Sequence, residues 1–241
     1  MKIIEKMSAK ARDNFNAEGV TIAFLGDSVT QGCFELYKKQ DGGIDTIFDK
    51  MGSYEMGVFD IFSTLFPTVP VNIINAGISG DSAPRGLARV GRDVLRHEPD
   101  LVVVCYGLND CGNSEDSIPK YVNALKGIFE QVIASGSELI FMTPNMMNTK
   151  ISHFLTEPSF IEIAKTTAQK QNDGVFDAHI DAARKLCVEM NVTVCDCYAL
   201  WKTLYESGVD TTELLSNQIN HPTRKINKMF SYELVKTMFM N

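Results

Sequence analysis

A serine, a glycine-rich turn, an asparagine and a histidine stand at four separate points of the chain where turn-forming residues could expose them to a substrate. The first stretch, Gly26-Asp27-Ser28-Val29-Thr30-Gln31-Gly32, sets Ser28 where an extended run hands over to a helix. Unpaired N–H groups and the positive dipole end at a helix start favour an alkoxide-like nucleophile or a bound anion. The second, Asn75-Ala76-Gly77-Ile78-Ser79-Gly80-Asp81-Ser82, is a glycine-spaced turn whose backbone can approach a ligand and present its N–H groups. The third, Gly107-Leu108-Asn109-Asp110, offers an amide that can donate to a developing oxyanion. In the fourth, Asn220-His221-Pro222, the proline biases His221 toward an extended conformation from which its ring can project as a base. Each has an ordinary local alternative: Ser28 as a helix N-cap, Gly77 and Gly80 as turn glycines, Asn109 closing an Asx-turn, His221 as a solvated side chain. Together they supply nucleophile, backbone donor, side-chain donor and base, a serine hydrolase constellation.

Such residues need elements that bring them to one edge. The runs Thr21–Leu25, Val71–Ile74, Leu101–Tyr106, Glu138–Met142 and Val192–Cys197 are β-branched-rich and end in turn residues, as buried strands do. Between them lie helically spaced apolar residues such as Leu87, Val90 and Val94, or Tyr121, Leu125, Ile128 and Val132. Alternating strand and helix predicts an α/β fold, a parallel five-stranded sheet covered by helices on both faces as a three-layer α/β/α sandwich. In such sheets ligands bind beyond the carboxyl ends of the strands, where all four stretches fall. Two long connections, Cys33 to Pro70 and Pro144 to about Gly174, are expected to shape a pocket; no linker or repeat divides the chain, so residues 1–241 are expected to form one domain. Pro222 suits the first position of a last helix carrying Ile226, Met229, Phe230 and Leu234.

Composition narrows the partners. Among 241 residues, 23 basic against 30 acidic side chains leave a net charge of −7 with no basic cluster, which argues against nucleic acid. The longest apolar run is far shorter than a membrane span, and Met1 to Gly19 lacks a signal-like apolar stretch, so a cytoplasmic location is expected. The six cysteines are too sparse for a disulfide framework, and Cys195 and Cys197 lack a second pair to complete a zinc site, so no metal is expected. The turn at residues 75–80 lacks the first glycine of a dinucleotide fingerprint and an acidic ribose ligand, which leaves no cofactor to expect. His97 reads as structural; His153 and His179 are pocket candidates, Met146 and Met147 packing residues, and Asp27 and Asp110 organisers of the turns beside the site.

With these motifs assembled, the sequence resembles the GDSL or SGNH family of esterases, lipases and carbohydrate deacetylases from about residue 20 onward. The matching blocks are Gly26-Asp27-Ser28-Val29, Gly80 within Asn-Ala-Gly-Ile-Ser-Gly-Asp, Gly107-Leu108-Asn109-Asp110 and His221-Pro222. The resemblance implies a flavodoxin-like sheet, Ser28 as nucleophile, His221 as base, and an oxyanion hole formed by Ser28, Gly80 and Asn109. It implies hydrolysis of short acyl, foremost acetyl, esters of small molecules or carbohydrates, with lysophospholipid or thioester hydrolysis as the alternative. Acyl transfer to another acceptor would use the same residues. One position departs: the family usually carries Asp three residues before the histidine, and here Gln218 stands there. His221 is then oriented by a backbone carbonyl, or by Asp196 or Glu213 from elsewhere, or the chain is a binding module that has lost hydrolysis. The aromatic residues Tyr37, Tyr54, Phe59 and Phe62 are candidates for stacking on a sugar, and equally for the core. Oligomeric state leaves no mark in the sequence.

Overall fold

The computed structural model describes residues 1–241. In chain order the first elements are α1 (Lys2–Arg12), β1 (Val20–Gly26), α2 (Ser28–Gln31), β2 (Cys33–Lys38), β3 (Ile44–Phe48), α3 (Tyr54–Leu65) and β4 (Val71–Gly77). They continue with α4 (Ala83–Asp93), β5 (Leu101–Cys105), α5 (Ser117–Ala134), β6 (Glu138–Met142), α6 (Pro158–Asn172), α7 (Val175–Met190), β7 (Thr193–Cys195), α8 (Cys197–Glu206) and α9 (Arg224–Met240).

Five strands form one sheet in the order β4-β1-β5-β6-β7, and every neighbouring pair is parallel. This is the flavodoxin-like order that the resemblance implies. Because successive strand residues point to opposite faces, Ile22 and Phe24 of β1 pack into one core and Ala23 and Leu25 into the other. The first core lies under α1, α3, α8 and α9; the second lies under α4, α5 and the C-terminal half of α7. β5, between β1 and β6, is buried along its whole length, as its unbroken apolar run requires.

Register sets the site. Gly26 pairs with both Gly77 and Cys105, so the ends of β1, β4 and β5 are level and their following turns meet. The approach there is close: a Cβ on Gly26 would lie 2.8 Å from the Cys105 carbonyl oxygen, and one on Gly77 2.3 Å from the Gln31 nitrogen. Only glycine allows the turn that carries Ser28 to nest between its neighbours.

Three details differ from the expectation. The first long connection carries helix α3 but opens with an antiparallel hairpin, β2–β3, which pairs only with itself. The last strand stops at Cys195, and Cys197 opens α8. α9 begins at Arg224 with Thr223 as its N-cap, whose hydroxyl accepts from Ile226 N–H; Pro222 lies outside it and bridges to Leu215. A capping hydroxyl at Thr223 outcompetes the start that proline would favour two residues earlier. No helix is long and apolar enough to cross a membrane.

Candidate active site

Ser28 is the first residue of α2 and does not cap it; Asp27 does, its carboxylate accepting from Val29 N–H at 3.0 Å. The serine side chain is thereby free to line the cleft described below. Its Oγ lies 2.9 Å from His221 Nε2, across 193 residues of sequence. His221 Nδ1 lies 2.8 Å from the carbonyl oxygen of Phe34 on β2. A carbonyl can only accept, so Nδ1 carries the proton and Nε2 presents its lone pair to the Ser28 hydroxyl. Burial lowers the His221 pKa to about 4, against an opposing pull from the Phe34 carbonyl and the Glu35 charge. The ring is therefore neutral, as a base must be, over the physiological range.

The loop that presents His221 is built around Asn217. Its side-chain oxygen accepts from the N–H groups of Ile219, Asn220 and His221 at 2.9–3.0 Å. Ser216 N–H donates to the His221 carbonyl at 2.7 Å. Gln218, where the family's acid would stand, turns away with φ +59, and its amide donates to Leu215 O. Neither carboxylate considered in its place reaches His221. Asp196 caps α8 and pairs with Arg184 at 2.8 Å, and Glu213 accepts from Ser152 Oγ at 2.9 Å. The orienting group is the Phe34 carbonyl.

Opposite His221, Asn109 donates from Nδ2 to the Asp81 carbonyl at 2.8 Å, and the same nitrogen makes a second, long contact with Asp27 Oδ2 at 3.5 Å. Gly80 adopts φ +73, and its N–H has no acceptor in the protein. Ser28, Gly80, Asn109 and His221 line one cleft of about 590 Å³. Leu36 of the hairpin and Ile163, Thr166 and Lys170 of α6 form its other walls, so both long connections do shape the pocket. None of the four aromatic candidates lines it: Tyr54 and Phe62 are core residues, and Phe59 and Tyr37 lie elsewhere on α3 and β2. His179 is buried against Val175 O, and His153 stacks on Phe154 outside the cleft. Met146 and Met147 are core residues.

Two supports escape the residue-type search. Arg89 of α4, 7% exposed, donates to Gly26 O, Ala76 O, Asp81 Oδ2 and the Tyr106 hydroxyl, tying together the three strand ends that carry Ser28, Gly80 and Asn109. Asn75 donates to Thr30 O and to the buried Glu55 carboxylate while accepting from Gly77 N–H, which fixes the turn after β4 to the helix that begins with Ser28. Arg89 sits beside the apolar stripe of α4, and that stripe conceals its inward direction. Burial pushes Asp27 up to about 7, Glu55 to about 7 and Asp110 to about 6.

Comparison with known proteins agrees with this architecture. The profile of the GDSL-like Lipase/Acylhydrolase family matches residues 24–229. A curated relative, the acetylxylan esterase of Geobacillus stearothermophilus, is 24% identical over 135 residues, 52% of this chain and 60% of that protein, so the match spans less than two thirds of the relative's length. Among solved structures, a mutant of a Geobacillus acetyl-xylooligosaccharide esterase is similar with a TM-score of 0.67 at 18% identity, over 93% of this chain and 96% of that one. A two-domain esterase active on acetylated mannans gives 0.68 at 18%, over 98% of this chain and 52% of that one. With the profile spanning all four motif stretches, the chain belongs to the GDSL-like lipase/acylhydrolase family.

Proposed function

We propose that this protein is a serine esterase that removes short acyl groups, foremost acetyl, from hydroxyls of a small molecule or carbohydrate. The observation that carries the proposal is the Ser28 Oγ–His221 Nε2 contact of 2.9 Å at the floor of a cleft. Ser28 Oγ attacks the acyl carbon while Nε2 takes its proton; the C–O bond to the alcohol breaks, and the imidazolium protonates the leaving oxygen. Water, deprotonated by Nε2, then cleaves the acyl-enzyme and restores the serine. The N–H groups of Ser28 and Gly80 and the Asn109 amide hold the oxyanion in both halves. Only five of the sixteen residues lining the cleft are hydrophobic, which favours a short acyl group over a lipid chain. The names of the acetylxylan and acetylated-mannan esterases support acetylated sugars as the substrate class.

The test is hydrolysis of p-nitrophenyl esters from acetate to palmitate, with acetylated xylo-oligosaccharides beside them, by the wild type and Ser28→Ala. Acetate-length activity that disappears in the variant is expected. A long-chain optimum, or activity untouched by Ser28→Ala, overturns the assignment.

A further inference from the structure

The carbonyl that replaces the triad acid sits on an element that the main sheet does not hold. The hairpin β2–β3 pairs only with itself, so the position of Phe34 O depends on what anchors the hairpin to the loop of His221. Arg224, three residues beyond His221, does this from the first turn of α9. Its Nη1 and Nη2 grip both oxygens of Glu35 on β2 at 2.6 and 3.1 Å, and its Nε donates to Asp49, just past β3, at 2.6 Å. The guanidinium carbon lies 4.2 Å from the centre of the Phe34 ring. One cation thus touches the residue whose carbonyl holds the base, its neighbour within β2 and the residue that follows β3. Asp49 is fixed in turn by its own N–H on Gly32 O at 2.8 Å, beside the nucleophile's helix.

The ion pair is partly exposed, with side chains 36% and 40% accessible, so its yield in stability is small. What the fork and the stacked ring provide is geometry. We infer that Arg224, with Glu35 and Asp49, is a positioning clamp for the base: it holds the Phe34 carbonyl on His221 Nδ1, while the Glu35 carboxylate lends the imidazolium, from one residue away, the negative charge that a triad acid supplies by contact. For catalysis this rests on the esterase proposal above.

The ionisable groups around His221 are Asp27 before α2, Glu35 on β2, Asp49 after β3, Arg224 on α9, and Glu162 and Lys170 on α6 across the cleft. Arg224 holds Glu35 and Asp49 below the usual carboxylate range, while burial holds Asp27 up near 7, apart from the low range in which His221 titrates. Removing Glu35's charge and removing Arg224's charge must therefore move His221 in opposite directions.

The experiment follows the His221 ring by NMR titration, its signal assigned against His221→Gln among only four histidines, alongside kcat/KM for p-nitrophenyl acetate against pH. Glu35→Gln is expected to move the ring titration and the acid limb down by about half a pH unit, with kcat reduced roughly tenfold and KM little changed. Arg224→Gln should move both up by a similar amount while also lowering kcat, because Glu35 is left without its counter-charge. Arg224→Lys, which keeps the cation and loses the fork, should titrate like the wild type with part of the rate recovered. Shifts in the same direction, or a ring titration unmoved by Glu35→Gln, overturn the clamp. If Arg224→Gln fails to fold, the direction of the Glu35→Gln shift still decides. If the wild type hydrolyses no acetyl ester the esterase proposal falls, and the ring titration still tests the clamp independently.

Discussion

Asn109 commits one amide hydrogen to Asp81 O at 2.8 Å and holds the other only in a long 3.5 Å contact with Asp27 Oδ2, which a closer acceptor in the cleft can displace, so its worth as a donor can be measured directly. Asn109→Ala is expected to lower kcat about 10²–10³-fold with little change in KM, read from initial rates on p-nitrophenyl acetate, since the donor acts on charge that appears only in the transition state. Gln218 invites the opposite experiment. Because Nδ1–H is already engaged by Phe34 O, restoring the family's carboxylate with Gln218→Asp should leave kcat no higher than wild type, and a gain of tenfold or more would show that the carbonyl is not the working partner. The four residues that meet in the cleft, Ser28, Gly80, Asn109 and His221, are legible in sequence because each stands in its own turn signal at the end of a strand or before a helix. The Phe34 carbonyl is not, since every residue carries a carbonyl and only the fold selects one. Asp196 and Glu213 were plausible by type alone; the structure spends one on Arg184 and a helix cap and the other on Ser152.

Among the elements, the five sheet strands could be read because burial on both faces forces short, continuous, β-branched runs. The β2–β3 hairpin lacks that pressure. β2 grades from buried to exposed and β3 buries only Thr46, so no clean alternation marks them, although Asp41-Gly42-Gly43 with Gly42 at φ +85 is a turn signal that locates the hairpin. α9 starts two residues later than the local preference of Pro222 favours, because Thr223 caps it. α4 illustrates the limit of periodicity: Arg89 lies beside its apolar stripe yet donates to two strand-end carbonyls and to Asp81. Replacing it by Met would strand the Asp81 carboxylate in the interior, and removing one partner of a buried pair typically costs about 3–5 kcal/mol. The urea midpoint of Arg89→Met should fall accordingly. Arg89→Lys should recover only part of it, because one ammonium cannot reach acceptors arranged for a planar fork.

For the whole molecule, the buried acids beneath the site give stability an unusual dependence on pH. Asp27 and Glu55 are pushed up to about 7 and Asp110 to about 6 by burial, far above where the unfolded chain would lose those protons. The folded state binds more protons than the unfolded one between the ordinary carboxylate range and pH 7, so these groups stabilise the protein at low pH and that contribution is lost as pH rises through their folded values. His221 has the reverse sign: lowered to about 4, it gives up in the fold a proton that the unfolded chain keeps until pH 6.5, so its contribution grows with pH and is complete above 6.5. The two trends oppose each other below pH 6.5 and separate above it, where only the carboxyls still titrate. The excess of 30 acidic over 23 basic side chains adds self-repulsion of the same sign. The melting temperature should therefore fall between pH 6.5 and pH 8. Asp27→Asn retains an acceptor for the Val29 N–H cap and removes one of these titrations, so calorimetry should find its decline shallower and its melting temperature at pH 8 above that of the wild type. A wild-type melting temperature that is flat or rising over that interval would mean that the carboxyls beneath Ser28 are solvated well enough to ionise without cost.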